Sequence, residues 1–362
     1  MIQEAQQTLF ALLVLGSLSF AVACAWTPFL TRILIRYQCW KKKVRTVAPD
    51  GNGTPIFAQL HKDKETNTPR MAGVLIWGTT LVMTIAVTIM TLCVPEGSWL
   101  SSFGFLSRSQ TWIPLFTLLS ASLLGLVDDL LVVRERGDVA KGGGITFRRR
   151  LLFVFLIGLV GAYWFFFKLG WNELHIPFYG DVFIGWWYIP LFISIIMGVF
   201  STSVVDGLDG LAGGVFTIMY SAYSVIAFMR GQDDIAILCA VIAGSILAFL
   251  WFNIPPARFY MGETGIMGLT TTLAVIAFFT DTVLLLPIIG SVLVIEALSV
   301  ALQLASKKIR KKKIFLVAPI HHHFEAKGWP SYRVTMRFWL VSGVSAAIGI
   351  ALVVLDISRT AL

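Results

Sequence analysis

The chain has 362 residues, of which 57% are hydrophobic and 14% charged, and its mean hydropathy is +0.79. That composition excludes an ordinary soluble globular domain, which has too little interior for so much apolar surface. The formal net charge of +9 is not read as a nucleic-acid footprint, because the retention of basic loops on one side of a membrane explains it.

A helix crosses a bilayer with about 20 apolar residues, and ten runs of that kind follow one another along the chain. They cover approximately residues 9–37, 71–94, 112–133, 151–169, 186–205, 211–229, 235–253, 265–280, 283–305 and 335–355. The eighth is short, and only Asp281 and Thr282 mark its boundary with the ninth. The first seven residues carry one Glu and no Lys or Arg, unlike the basic start of a cleaved leader, so the first run is expected to be retained. Connections at 95–110 and 170–185 hold Gly, Pro and aromatic residues, as interfacial turns do.

Of the 29 Lys and Arg residues, all but Arg32, Arg108, Lys168, Arg230 and Arg359 fall in alternate connections, at 36–70, 134–150, 258 and 307–337. Basic loops stay in the cytoplasm. The expected fold class is therefore an all-α integral membrane protein with ten transmembrane helices, both termini outside and five cytoplasmic loops forming the site. No repeat or soluble insertion divides the chain, so one membrane domain spans 1–362. Cys24, Cys39, Cys93 and Cys239 have no CxxC spacing and imply neither disulfides nor a zinc site.

The basic loops also collect the groups that carry chemistry. Asp128 and Asp129 follow an apolar run in GLVDDLLV, where two adjacent carboxylates repel and call for a cation nearby. Solvated interfacial acids are the bland alternative, and they explain poorly why the pair follows that run directly. Asp206 and Asp209 lie in VVDGLDGLAGG, where glycines let backbone approach a ligand; Gly/Asp clusters also make ordinary turns. The stretch FNIPPARFYMGETG offers Asn253, Arg258, Phe259, Tyr260 and Glu263, more functional groups than a rigid interfacial turn needs.

Glu296, Ser299 and Gln303 share one helical stripe in the ninth run. An intramembrane Glu fits a functional site and a buried structural hydrogen bond equally well. Lys307–Lys313 reads as a topology anchor or an anionic-lipid contact. In APIHHHFEAKGWP, His321, His322 and His323 cannot all face one ligand; a surface run or an adventitious metal binder is the plain alternative. Carboxylates, cations, amides and histidines on one membrane face suit a hard ion such as Mg²⁺ that neutralises phosphate oxygens, and hence phosphoryl transfer at the bilayer surface.

NTPRMAG at 67–73, VDDL at 127–130, DGLDGLAGG at 206–214, FNIPPARFYMGETG at 252–265, and EALSVALQ at 296–303 running into the histidine loop resemble the polyprenyl-phosphate N-acetylhexosamine-1-phosphate transferases. The histidine loop is similar to that of the muramoyl-peptide branch. The resemblance implies transfer of phospho-N-acetylmuramoyl-pentapeptide from UDP-N-acetylmuramoyl-pentapeptide to undecaprenyl phosphate in the bacterial inner membrane, with Mg²⁺ as cofactor and lipid I and UMP as products. It implies catalytic roles for Asp128, Asp129 and Asp206, and metal ligation by Glu263 with Asp206. It further implies substrate contacts from Asp209, Asn253, Tyr260 and Gln303, from Lys64 near the diphosphate, and from His321, His322 and His323 near the sugar-peptide part. Glu263 stands where the family pattern has Asp, Ser203 where it has Asn, Tyr260 where it has Phe, Val132 where it has Lys and Ile266 where it has Ser; Lys141 is the expected substitute cation for Val132.

Two rivals define the tests. A related transferase would move N-acetylglucosamine 1-phosphate or another UDP-sugar phosphate to the same lipid. A secondary transporter would place its acids at the bilayer midplane between inverted repeats. Oligomeric state is left open by the sequence, a homodimer being one of the states it allows.

Overall fold

A computed structural model describes residues 2–42, 68–95, 98–137 and 143–360. Nearly all regular structure there is helical, as an apolar solvent requires: without water, backbone N–H and C=O groups must pair within their own segment. The helices are α1 (Ile2–Arg36), α2 (Val74–Cys93), α3 (Trp112–Val133), α4 (Phe147–Tyr163), α5 (Tyr188–Phe200), α6 (Leu211–Met229) and α7 (Asp233–Asn253). They are followed by α8 (Glu263–Phe279), α9 (Leu286–Ile289), α10 (Ser291–Arg310), α11 (Ile320–Ala326) and α12 (Ser331–Thr360).

Among the described residues eight helical stretches, those built on α1 to α7 and α12, are long and apolar enough to cross a bilayer. The eighth expected run is α8, which is apolar but only 17 residues long. The ninth does not run straight. Gly290 separates α9 from α10, and α10 continues into the basic segment as far as Arg310. The connection expected as a plain turn at 170–185 instead contains an antiparallel hairpin, β1 (Glu173–Ile176) and β2 (Gly180–Phe183), with Glu173 opposite Phe183.

Large apolar side chains such as Leu92, Trp187, Leu340 and Ile309 are exposed, as lipid-facing residues are. The centre is α8, buried at every position from Thr264 to Phe279 and packed chiefly against α3 and then α5; α6 and α7 are also largely buried. Two of its threonines satisfy their hydroxyls within the helix: Thr270 donates to the Ile266 carbonyl at 2.8 Å and Thr271 to that of Met267 at 2.6 Å. In α10 the usual amphipathicity is inverted. Glu296, Ser299, Gln303 and Ser306 are buried while Ile295, Leu298 and Leu302 are exposed.

Lipid gives little hydrophobic drive between helices, so small residues that let backbones touch carry the packing. A Cβ on Gly244 of α7 would lie 2.1 Å from the Gly16 carbonyl oxygen of α1, and one on Gly268 of α8 would lie 2.0 Å from Ser122 Oγ of α3. Gly244→Ala is therefore expected to cost about 1–3 kcal/mol, the usual range for overpacking. A fall in thermal midpoint in detergent checks this; an unchanged midpoint would mean that α1 and α7 are not in backbone contact.

The outer ends of α1 and α12 lie at the end of the bundle that carries the hairpin. Near the start, Thr8 Oγ1 donates to Asp233 Oδ2 at 2.9 Å. Near the finish, Asp356 accepts from the Phe178 N–H at 2.7 Å and lies 2.7 Å from His175 Nε2 and 3.3 Å from Arg230. His175 Nδ1 in turn meets Asp181 at 2.7 Å, and Arg230 also faces Asp281 at 3.4 Å.

Burial opposes a charge on His175, but the hydrogen bonds to Asp181 and Asp356 outweigh it and raise its pKa above the usual 6.5. A pKa raised on folding gives stability that is complete below the unfolded value and is lost as pH rises through the folded one. Thermal stability is thus expected to decline as pH rises above about 6.5, and His175→Phe to flatten that decline. Equal slopes for the two proteins would dissolve the clasp.

Candidate active site

At the opposite end of the bundle four carboxylates and two guanidinium groups meet, delivered by five segments of the chain. The last turns of α3 bring Asp128 and Asp129, both fully buried. The first residue of α8 is Glu263, the turn after α5 holds Asp206, Arg70 precedes α2, and Arg150 lies in the first turn of α4.

Arg150 bridges two acids: its Nη2 lies 2.7 Å from Asp128 Oδ2 and its Nη1 2.5 Å from Glu263 Oε1. The other oxygen of Asp128 accepts from the Ile145 N–H. Asp129 Oδ2 accepts from the Thr264 N–H at 3.0 Å, and Asp129 Oδ1 stands 3.5 Å from Arg70 Nε. Asp206 Oδ2 accepts from the Gly262 N–H at 3.2 Å. Gly262 adopts φ +72, and a Cβ there would lie 2.4 Å from Asp129 Oδ2, so only glycine fits between the two acids. Burial pushes the Asp206 carboxyl up to about 6, against the pull of Arg70 and the Gly262 N–H.

The remaining expected residues divide into two sets. Asp209, Asn253 and Tyr260 adjoin the acids. Asp209 Oδ2 accepts from the Ala257 N–H at 3.3 Å, while Asn253 accepts from Gly210 N–H at 3.0 Å and donates to the Phe259 carbonyl at 2.8 Å. Tyr260 is pushed up to about 12 by burial and by the facing carboxylate of Asp209. Gln303 and His323 lie with the segment after α10. The Gln303 amide takes the N–H groups of Ile314 and Phe315 at 3.0 Å and donates to the Phe315 carbonyl at 2.9 Å. His323 Nδ1 accepts from the Leu316 N–H at 3.1 Å, and burial and then Lys327 hold its pKa below the usual value. His321 and His322 are buried on α11, paired with Glu296 and Glu325. Lys64 and Lys141 lie outside the described residues.

Sequence reasoning missed Arg70 and Arg150 as site residues. An adjacent pair of acids demands compensation, and that signal was available; an arginine inside FRRRLL nevertheless reads as an ordinary basic flank. The acids sit at one end of the bundle and not between repeats at its middle, unlike the arrangement a transporter requires.

Among the described residues no three or more His, Cys, Asp or Glu side chains stand at metal-ligand spacing. Arg150 occupies the gap between Asp128 and Glu263. The donor set itself fits a hard divalent ion. Four carboxylates against two guanidinium groups leave two negative charges, and Glu263 Oε2 is buried with no hydrogen-bond partner among the described residues.

The fold and site thus define a polytopic membrane protein with a charge-compensated acidic centre suited to phosphoryl chemistry. Residues 111–281 match the family described as Glycosyl transferase family 4. Phospho-N-acetylmuramoyl-pentapeptide-transferase of Geobacillus sp. (strain WCH70) is 34% identical over 92% of this chain and 95% of its own length. The proteins of that name from Pelagibacter ubique (strain HTCC1062) and Chloroflexus aurantiacus (strain ATCC 29366 / DSM 635 / J-10-fl) are 34% and 33% identical, over 92% and 94% of this chain and 89% of their own lengths. The chain belongs to the phospho-N-acetylmuramoyl-pentapeptide-transferase family.

Proposed function

We propose that the protein transfers phospho-N-acetylmuramoyl-pentapeptide from its UDP carrier to undecaprenyl phosphate, giving lipid I and UMP, the first membrane step of peptidoglycan synthesis. The observation that carries this reading is the meeting of Asp128, Asp129, Asp206 and Glu263 with Arg70 and Arg150 at the basic end of the bundle. A phosphate oxygen of the lipid attacks the sugar-side phosphorus; the bond from that phosphorus to the bridging oxygen breaks, and UMP leaves with the electron pair. The lipid phosphate is largely ionised near neutral pH, so the acids need mainly to orient it. Arg150 and Arg70 are placed to take up charge on the diphosphate as it is released.

Glu263, with Asp206, would hold a Mg²⁺ ion, which offsets negative charge on the diphosphate oxygens. Asp209, Asn253 and Tyr260, beside the acids, belong to the nucleotide side of the site. An apolar cavity of ≈ 210 Å³ between α5, α9 and α10, lined by Ile195, Val199, Thr202, Leu286, Leu293 and Val294, suits the polyprenyl chain. The basic end is the cytoplasmic one by its charge, and counting α8 and the broken α9–α10 segment as crossings gives ten spans with both ends of the chain outside.

The test is UMP release by purified protein given both substrates and Mg²⁺, then the same assay with UDP-N-acetylglucosamine as donor. Turnover with the muramoyl-pentapeptide donor alone supports the reading; turnover only with the smaller sugar transfers the assignment to the sister activity.

A further inference from the structure

Glu296 is a buried acid with no part in the chemistry above, yet it is committed to one partner. Its Oε2 lies 2.8 Å from His321 Nδ1, and both side chains are fully buried. A carboxylate against Nδ1 places the proton on that nitrogen and fixes the plane of the ring. Nε2 then points at the turn that carries Asp206 and Asp209. A Cβ on Gly207 would lie 2.1 Å from His321 Nε2 and 3.1 Å from His322 Nε2. His322 is braced in the same way, with Nδ1 2.7 Å from Glu325 and the other Glu325 oxygen accepting from Ser331 Oγ at 2.6 Å. The two rings stand 4.1 Å apart.

The Asp206–Asp209 turn is therefore held from two sides. Gly262, Ala257 and Asn253 tie it to the segment before α8; two imidazole edges support it from α11. We propose that Glu296 is a positioning residue of the transfer reaction, and that it acts by holding His321 as a strut beneath the Asp206–Asp209 turn.

Packing alone does not call for this arrangement. A buried ionisable pair is generally no more stabilising than apolar side chains of the same volume. Glu296 Oε1 and His321 Nε2 have in addition no hydrogen-bond partner among the described residues, which adds to the cost of burial. What the pair supplies is direction: a rigid ring edge, fixed by a charge-assisted bond, against a glycine. His321 has no accessible surface here, so its influence on substrate passes through the turn.

The inference rests on the transferase reading, and its test separates the two. Wild-type protein is first assayed with the donor it turns over; no turnover with any UDP-sugar counts against the reading alone. Glu296→Leu and Gly207→Ala are then compared with Glu296→Gln, which keeps an acceptor for Nδ1. The expected result is a kcat about 10–100-fold lower for Leu and for Ala, the scale of a misplaced catalytic group. Donor KM stays near wild type; Leu, which leaves the buried His321 Nδ1–H unpaired, and Ala, which crowds His321, lower the melting temperature somewhat, while Gln keeps it and recovers most of the rate. Hydrogen exchange measured by mass spectrometry should speed up in peptides covering 203–210 for Leu and not for Gln, whatever the activity. The proposal is overturned by unchanged kcat and exchange in Glu296→Leu, by a rise confined to donor KM, which would make His321 a substrate contact, or by equal losses in Leu and Gln together with a lower melting temperature.

Discussion

Asp129→Asn and Asp206→Asn are each expected to lower kcat by about 10²–10⁴-fold, the range for removing a group that acts on the reacting atoms. Asparagine keeps the shape of the side chain and an oxygen that can still accept from the Thr264 or Gly262 N–H, bonds of 3.0 and 3.2 Å in the wild type. What it removes is the charge that faces Arg70, 3.5 Å from Asp129. The fold should tolerate the change, since it relieves repulsion among buried acids. Both kcat and kcat/KM are expected to fall together, as they do when an interaction of the transition state is lost. UMP release and a thermal melt on the same preparation measure the two sides of this claim. Wild-type turnover in both variants would leave the acidic centre without a catalytic role.

The membrane architecture was legible because lipid imposes length, apolarity and charge asymmetry on a sequence, and those can be counted. Residues 112–133 and 211–229 were expected as spans and are the helices α3 and α6 at those bounds. The ninth run was not legible as two pieces. Its sequence is apolar on both sides of Gly290, so hydropathy alone does not separate the two pieces. The hairpin at 173–183 escaped because four-residue strands carry too little alternation to stand out from an interfacial turn.

In the site, the acids could be recognised because carboxylates next to apolar runs are costly anywhere else. Their partners could not. Lys141 lies outside the described residues, and among them it is Arg150, at the start of the next helix, that meets Asp128; which of the three arginines in FRRRLL turns inward depends on how α4 packs against α3. The stripe of Glu296, Ser299 and Gln303 was visible as a helical face, but that Gln303 would tie down the 314–315 backbone and Glu296 meet His321 depends on how the chain returns after α10. The histidine triplet divides as the geometry of a helix demands. Two rings point into the protein and the third turns to Leu316.

Arg150→Met is expected to have two effects of opposite sign, and together they decide what Arg150 is for. With its guanidinium 2.7 Å from Asp128 and 2.5 Å from Glu263, Arg150 takes the position between two acids that a divalent cation would compete for. Unit charges about 4 Å apart interact by roughly 4 kcal/mol at an effective dielectric constant near 20. Even a third of that, released when the guanidinium is removed, corresponds to about a tenfold change in affinity. Mn²⁺ binding to substrate-free protein, followed by electron paramagnetic resonance, should therefore tighten by about tenfold or more. Turnover should fall by about 10²–10³-fold, because no guanidinium is left between Asp128 and Glu263 to receive charge as UMP departs. Arg150→Lys should lie between, since an ammonium cannot span both carboxylates at once. If Arg150 were only a structural ion pair, Mn²⁺ affinity would stay constant and turnover would follow the melting temperature. A tighter metal with slower turnover instead identifies a cation that guards the acids when no substrate is present and is released to the diphosphate when metal and nucleotide arrive together.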